Sequence, residues 1–123
     1  MSAPARVFVV EDSADLRFLY RLMLERGGYD LVGEADDGAA ALAQAPDLEP
    51  DVIVLDAVLP DVHGLEVVRR LRPLLPHATI VLCSAAGPDV AREAVDLGAD
   101  SWLDKAQTYD LVPLLDRLLA GRS

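Results

Sequence analysis

Short apolar runs alternate along this chain with stretches whose apolar residues recur every three or four positions. Val7-Phe8-Val9-Val10 is the first run, and it ends at Glu11-Asp12. Ser13 can cap a helix over residues 14–26, with Leu16, Leu19, Tyr20 and Met23 on one face and Gly27-Gly28 as its stop. Residues 29–35 read as a weaker strand at a sheet edge. The alanine-rich residues 38–45 read as a short helix closed by Pro46 and Pro50. Val52-Ile53-Val54-Leu55 is then apolar on both faces, yet it runs straight into a carboxylate, Asp56. Burying a charge there is costly unless it is paired or metal-bound. A helix over 65–75, a strand over 79–83 ending at Ser84, and a helix over 88–97 follow, with Pro88 in its first turn and Gly98 at its end. Residues 101–103 make a short strand before Asp104-Lys105, and a last helix spans 110–119 with Pro113 in its first turn.

Five strands alternating with five helices predict a doubly wound parallel α/β sheet, with right-handed crossovers placing helices on both faces. The first, third and fourth strands are apolar throughout, as burial on two sides requires. The length, 123 residues, suits one compact domain. A content of 52% hydrophobic and 26% charged residues is that of a globular core. The net charge of −10 disfavours unspecific binding to nucleic acid or an anionic membrane. Cys83 is the single cysteine, which excludes an internal disulfide and a multi-cysteine metal site and reads as a small buried hydrophobe. The first residues lack a signal-peptide pattern, and no apolar stretch approaches the roughly 20 residues of a membrane helix. The expectation is a soluble cytoplasmic protein.

In a doubly wound sheet the ligand site lies beyond the carboxyl ends of the strands. The residues after the strong strands are Glu11 and Asp12, Asp56, Ser84 and Lys105. Three clustered acids repel one another unless a cation intervenes. With only oxygen ligands on offer, the cluster favours a hard ion such as Mg²⁺, which takes one or two carboxylates, keeps waters and adds phosphate oxygens. Lys105 is the only lysine, and a compact ammonium suits an anion treated as a point charge. Ser84 adds a hydroxyl donor. A metal, a hydroxyl and an ammonium around an aspartate nucleophile are what phosphoryl transfer needs, and Asp56 is the candidate nucleophile.

Over essentially its whole length the sequence resembles the receiver domain of two-component response regulators. The matching features are Glu11-Asp12 after VFVV, Asp56 after DVIVL, Pro60 and Gly64 in the loop that follows, Ser84 after TIVLC, GAD at 98–100, and Lys105. The resemblance implies a flavodoxin-like sheet in the order 2-1-3-4-5. It implies that Asp56 accepts a phosphoryl group from a phosphohistidine on a sensor histidine kinase or phosphotransfer protein. Asp12 and Asp56 would hold Mg²⁺, with Glu11 acting through water and the backbone carbonyl of Val58 as a further ligand. Ser84 and Lys105 would contact the phosphoryl oxygens and reshape the surface of the fourth helix, fifth strand and fifth helix. That face would meet a downstream output domain or effector protein, or a second copy in a homodimer. Residues 1–123 would form one receiver domain, standing alone or cut from a longer regulator, that catalyses only its own phosphorylation and slow dephosphorylation.

The sequence also departs from the family pattern. Trp102 stands where the family has Tyr or Phe, and reads either as a core or interface filler or as a switch aromatic that turns inward with Ser84. Ala106 replaces the usual cis-proline after the lysine, so a trans bond is expected. His63 and His77 read as exposed loop residues without a ligand role. Val58 and Ala86 flank the path of an attacking water and cannot hydrogen-bond it, which predicts a persistent phosphoryl group. Arg17, Tyr20, Arg21 and Leu24 of the first helix are candidates for kinase specificity. Two rival readings are a receiver that folds without being phosphorylated and a small phosphohydrolase with an aspartate nucleophile. The second needs an acid two residues after the nucleophile, where Val58 stands. No DNA-binding motif is present, so no direct contact with nucleic acid is expected.

Overall fold

The computed structural model describes residues 3–120. The ends of the expected domain, residues 1–2 and 121–123, lie outside the described residues. The elements in chain order are β1 (Arg6–Val10), α1 (Ala14–Arg26), β2 (Asp30–Ala35), α2 (Gly38–Leu48), β3 (Val52–Asp56), α3 (Gly64–Leu74), β4 (Thr79–Ser84), α4 (Pro88–Leu97), β5 (Ser101–Asp104), a 3-10 segment (Lys105–Asp110) and α5 (Leu111–Leu119). The strands form one parallel sheet in the order β2-β1-β3-β4-β5.

The alternation of side chains along each strand divides the core in two. Phe8, Val10, Ile53, Leu55, Ile80 and Leu82 pack against Ala41 and Ala45 of α2, Val67, Val68 and Leu71 of α3 and Ala94 of α4. Val7, Val9, Val52, Val54, Val81 and Cys83 pack against Tyr20 and Leu24 of α1 and Leu111, Leu114 and Leu115 of α5. Burial on both faces explains why β1, β3 and β4 read as unbroken apolar runs. β2 lies at the edge, as its weaker pattern predicts.

Several boundaries differ from the sequence reading by a residue or more, and three have a clear physical reason or consequence. α2 does not close at Pro46 but runs on to Leu48, where Glu49 takes the left-handed conformation at φ 47°. Leu48 packs against the same core as Phe8, and a Cβ on Gly33 would lie 2.9 Å from Leu48 and 2.8 Å from Phe8. That packing carries the helix past the proline. The residues after Lys105 are not a plain loop but a 3-10 segment, opened by Asp104 Oδ1 accepting the Ala106 amide (2.8 Å) and held by Thr108 Oγ1 donating to the Lys105 carbonyl (2.7 Å). β3 and β4 also take in Asp56 and Ser84 as their last residues, so both groups have strand backbone.

Candidate functional site

The sheet brings the predicted residues to one edge. Val10 pairs with Leu55, Leu55 with Leu82, Asp56 with Cys83 and Ser84 with Asp104, so the last residues of four strands stand side by side. Glu11, Asp56 and Ser84 are buried, with relative exposures of 1%, 3% and 1%, whereas Asp12 is exposed. Carboxylate oxygens of Glu11, Asp12 and Asp56 lie within 4.8 Å of one another. Lys105 points its ammonium at this group, with Nζ 2.9 Å from Asp56 Oδ2 and 3.3 Å from Glu11 Oε1.

One cation beside two buried acids leaves a charge surplus. Glu11 responds: burial pushes its carboxyl up to about 7, opposed by the Ser13 amide and reinforced by Asp12 and Asp56. The Ser13 amide donates to Oε2 at 3.0 Å, while the buried Oε1 faces the Lys105 ammonium 3.3 Å away. For Lys105 burial works to lower the pKa, but the Asp56 and Glu11 carboxylates overcome it and raise it. Beneath the site, burial pushes the Cys83 thiol up to about 12, which makes it the inert small hydrophobe expected.

The loop after Asp56 is tightly shaped. The Val58 amide donates to Asp56 Oδ1 (3.2 Å), and Val58 and His63 face each other in an isolated antiparallel bridge. The Gly64 amide closes the turn on the Ala57 carbonyl at 2.7 Å. A Cβ at Gly64 would stand 2.3 Å from the Asp56 carbonyl oxygen, so glycine is required for this close approach. His63 is exposed, as expected, but it is also the N-cap of α3, with Nδ1 accepting the Leu65 amide (3.1 Å). On the other side of the site, Ser84 Oγ accepts the Ala86 amide at 2.9 Å. Val58 and Ala86 are both exposed at the mouth.

The remaining predicted residues divide. Trp102 is half-buried against the α2–α3–α4 side of the core, and its Nε1 is buried without a hydrogen-bond partner. The described residues contain no cis peptide bond, so the Lys105–Ala106 bond is trans. The first-helix candidates need correction. Tyr20 and Leu24 are core residues at 1% and 0% exposure, because they lie on the inward face of α1. Arg17 donates from Nη1 to the Glu11 carbonyl (2.6 Å), and Arg21 pairs with Glu34 Oε2 (2.6 Å). Phe18, 55% exposed, is the large apolar residue that α1 presents to solvent.

Two contacts of the site's surroundings escaped the sequence reading, one of them made by Arg17, which that reading offers for kinase specificity. Arg17 anchors the backbone at Glu11. Asp61 accepts the Gly38 and Ala39 amides at 2.8 and 2.9 Å, joining the Asp56 loop to α2. No periodicity or spacing signals either one, because their partners are backbone groups.

The sequence model of the response regulator receiver domain matches residues 7–116. The chain belongs to this family. The receiver is 31% identical over 101 residues to the chemotaxis protein CheY of Thermotoga maritima, covering 81% of this chain and 84% of that protein. It is 34% identical over 119 residues to a putative transcriptional regulator of Pseudomonas aeruginosa, covering 95% of this chain but 58% of that longer protein. Among solved structures, the signal receiver domain of the putative response regulator NarL from Mycobacterium tuberculosis superposes with a TM-score of 0.88 at 31% identity, covering 98% of this chain and 100% of that one. The family places the receiver in two-component signalling, and its acidic group is compatible with Mg²⁺. No helix of the described residues is long and apolar enough to cross a membrane.

Proposed function

We propose that this receiver is a phosphorylation-dependent switch in which Asp56 accepts a phosphoryl group from the phosphohistidine of a sensor kinase or phosphotransfer protein. The observation that carries the reading is the Lys105 ammonium 2.9 Å from a buried Asp56 beside two further acids. An Asp56 oxygen attacks phosphorus, the P–N bond to histidine breaks, and the imidazole leaves with a proton. The charged product then replaces a singly charged carboxylate with a group of higher charge.

The donor set fits Mg²⁺. It is all oxygen, it is drawn from two strand ends, and it includes the buried Glu11 carboxylate, whose Oε1 has the Lys105 ammonium beside it. Asp12, Asp56 and the Val58 carbonyl would hold the ion, with Glu11 acting through water. Bound there, it would neutralise the charge that spreads over the phosphoryl oxygens. Lys105 supplies a second counter-charge, and the Ser84 hydroxyl, whose oxygen already accepts the Ala86 amide, keeps its proton to donate. Movement of Ser84 and Lys105 toward the new group would alter α4, β5 and α5, with Trp102 on β5 as the switch aromatic. That face would serve a cytoplasmic effector, a tethered output domain or a second copy. Residues 1–123 act as one receiver unit in this reading.

Incubation with acetyl phosphate and Mg²⁺ followed by intact mass tests it. A phosphate adduct in the parent that is absent in Asp56→Asn supports the switch. No adduct in the parent leaves a receiver that works by protein contact alone, and continuous turnover of a small phosphate ester points instead to a phosphohydrolase.

A further inference from the structure

The segment between Val58 and His63 is stapled to a different part of the fold by one side chain. Asp61 takes the Gly38 and Ala39 amides, the first two of α2, while Asp37 Oδ1 takes the Ala40 amide (2.7 Å). A helix start needs such acceptors, and here two come from a loop 23 and 22 residues further along the chain. The contact is also steric: a Cβ on Gly38 would lie 2.2 Å from Val62 Cγ1 and 3.3 Å from Asp61 Oδ1, so α2 sits directly on the loop. Hydrogen bonds to the two amides hold the Asp61 carboxyl below the usual carboxylate range. Within residues 58–63 these are the side-chain hydrogen bonds that reach a part of the chain distant in sequence. Val58 to Asp56, the His63 cap on Leu65 and the Glu66 amide on the His63 carbonyl are local.

We infer that Asp61 is a positioning residue for the metal: by fixing the loop to the start of α2 it holds the Val58 carbonyl where the ion is bound. This rests on the phosphorylation reading above. Outer contacts that orient ligands typically change metal affinity 10–100-fold when removed, and Asp61 adds to the local Val58–Asp56 and Val58–His63 contacts the hydrogen-bonded anchor of this loop to α2. Both Asp61 carboxylate oxygens are taken by α2 amides, and the acidic group at the strand ends is Glu11, Asp12 and Asp56.

The test compares the parent, Asp61→Ala, Asp61→Asn and Asp37→Ala. Asp37→Ala removes an equal charge and a bond to the same helix end, while the hydrogen bonds of Asp61 to the Gly38 and Ala39 amides remain available. Mg²⁺ affinity is measured by calorimetry, and phosphorylation by acetyl phosphate is measured as a function of Mg²⁺. Asp61→Ala is expected to weaken Mg²⁺ about 10-fold, to raise the Mg²⁺ needed for half-maximal phosphorylation equally, and to leave the rate at saturating Mg²⁺ within about twofold. Asp61→Asn, which keeps one acceptor oxygen, should recover part of the loss, and Asp37→Ala should bind Mg²⁺ like the parent. Equal affinity in the parent and Asp61→Ala overturns the inference, as does an equal loss in Asp37→Ala, which would make the effect one of charge or of helix stability. A parent that neither binds Mg²⁺ nor takes phosphate overturns the underlying reading instead, and the inference with it.

Discussion

Lys105 spans from the end of β5 to Asp56 at the end of β3, holding Nζ 2.9 Å from Oδ2 although β4 lies between the two strands. The 3-10 segment makes this reach possible, because its Asp104 and Thr108 bonds fix the backbone on both sides of the lysine. The same ammonium is 3.3 Å from Glu11. One partly exposed cation therefore compensates two acids that are almost fully buried.

Replacing Lys105 with alanine should expose that imbalance. Removing one partner of a buried ion pair costs about 3–5 kcal/mol, and the partial exposure of Lys105 places this case near the lower end, about 3 kcal/mol. The loss should appear in urea melts without divalent ions, and Mg²⁺ should stabilise the variant more than it stabilises the parent. A variant as stable as the parent in the absence of Mg²⁺ would show that the acids need no counter-charge in the fold.

How much of this was legible follows from where each partner lies. The two-sided apolar runs of β1, β3 and β4 gave the sheet, and the residue after each run gave Glu11, Asp12, Asp56, Ser84 and Lys105. The sequence resemblance added the strand order and the roles. The end of α2 was misread because Leu48 is held by tertiary packing near Gly33, which outweighs the local message of Pro46. Tyr20 and Leu24 were misplaced on a binding surface although they fall on the apolar stripe of α1, a contradiction visible in the periodicity itself. The contacts of Arg17 with the Glu11 carbonyl and of Asp61 with α2 were invisible for a different reason. Their acceptors and donors are main-chain groups, which carry no residue signature.

Arg72 is the clearest case of such a contact. It donates to the carbonyls of Leu75, Pro76, Ala78 and Gly98 and pairs with Asp100 Oδ2 at 2.7 Å. Asp100 in turn accepts the Ile80 amide, so one guanidinium ties the ends of α3 and α4 to the starts of β4 and β5. Arg72→Ala should destabilise the receiver by about 3 kcal/mol, because partly buried carbonyls lose their donor. Phosphorylation of Asp56 should persist under native conditions. Urea denaturation paired with the acetyl phosphate assay checks both, and a loss below about 1 kcal/mol would mean that water replaces the arginine.

A pH effect should come from α3. Glu66 lies in the first turn and pairs with Arg69 and with Arg70. The Arg69 hydrogen bond first, and the Arg70 hydrogen bond and both charges with it, hold its carboxyl down at about 2. A carboxyl whose folded pKa is depressed contributes stability that is complete above its unfolded pKa and is lost as pH falls through the folded one. The stability gap between the parent and Glu66→Gln should therefore be constant above pH 5 and shrink toward pH 2. Melting curves across that range measure it. A gap that does not change with pH would show that the pair contributes nothing through charge.

The lifetime of the phosphoryl group should depend on Val58. Its side chain is 67% exposed beside the site, and its own amide is committed to Asp56 Oδ1. Ala86 is also exposed, with its amide committed to Ser84. Neither side chain can orient a water for attack on phosphorus, since an apolar group has no donor or acceptor to offer. Placing an amide there supplies both, and positioning of the attacking water is a main contribution available in phosphoryl hydrolysis. Val58→Asn should thus shorten the lifetime of the phosphorylated form several-fold in Mg²⁺ buffer, followed by intact mass over time. Because the change is on an exposed side chain and leaves the Val58 carbonyl in place, Mg²⁺ affinity should stay unchanged. If hydrolysis is no faster while the Mg²⁺ affinity holds, the side chain at position 58 does not govern access of water.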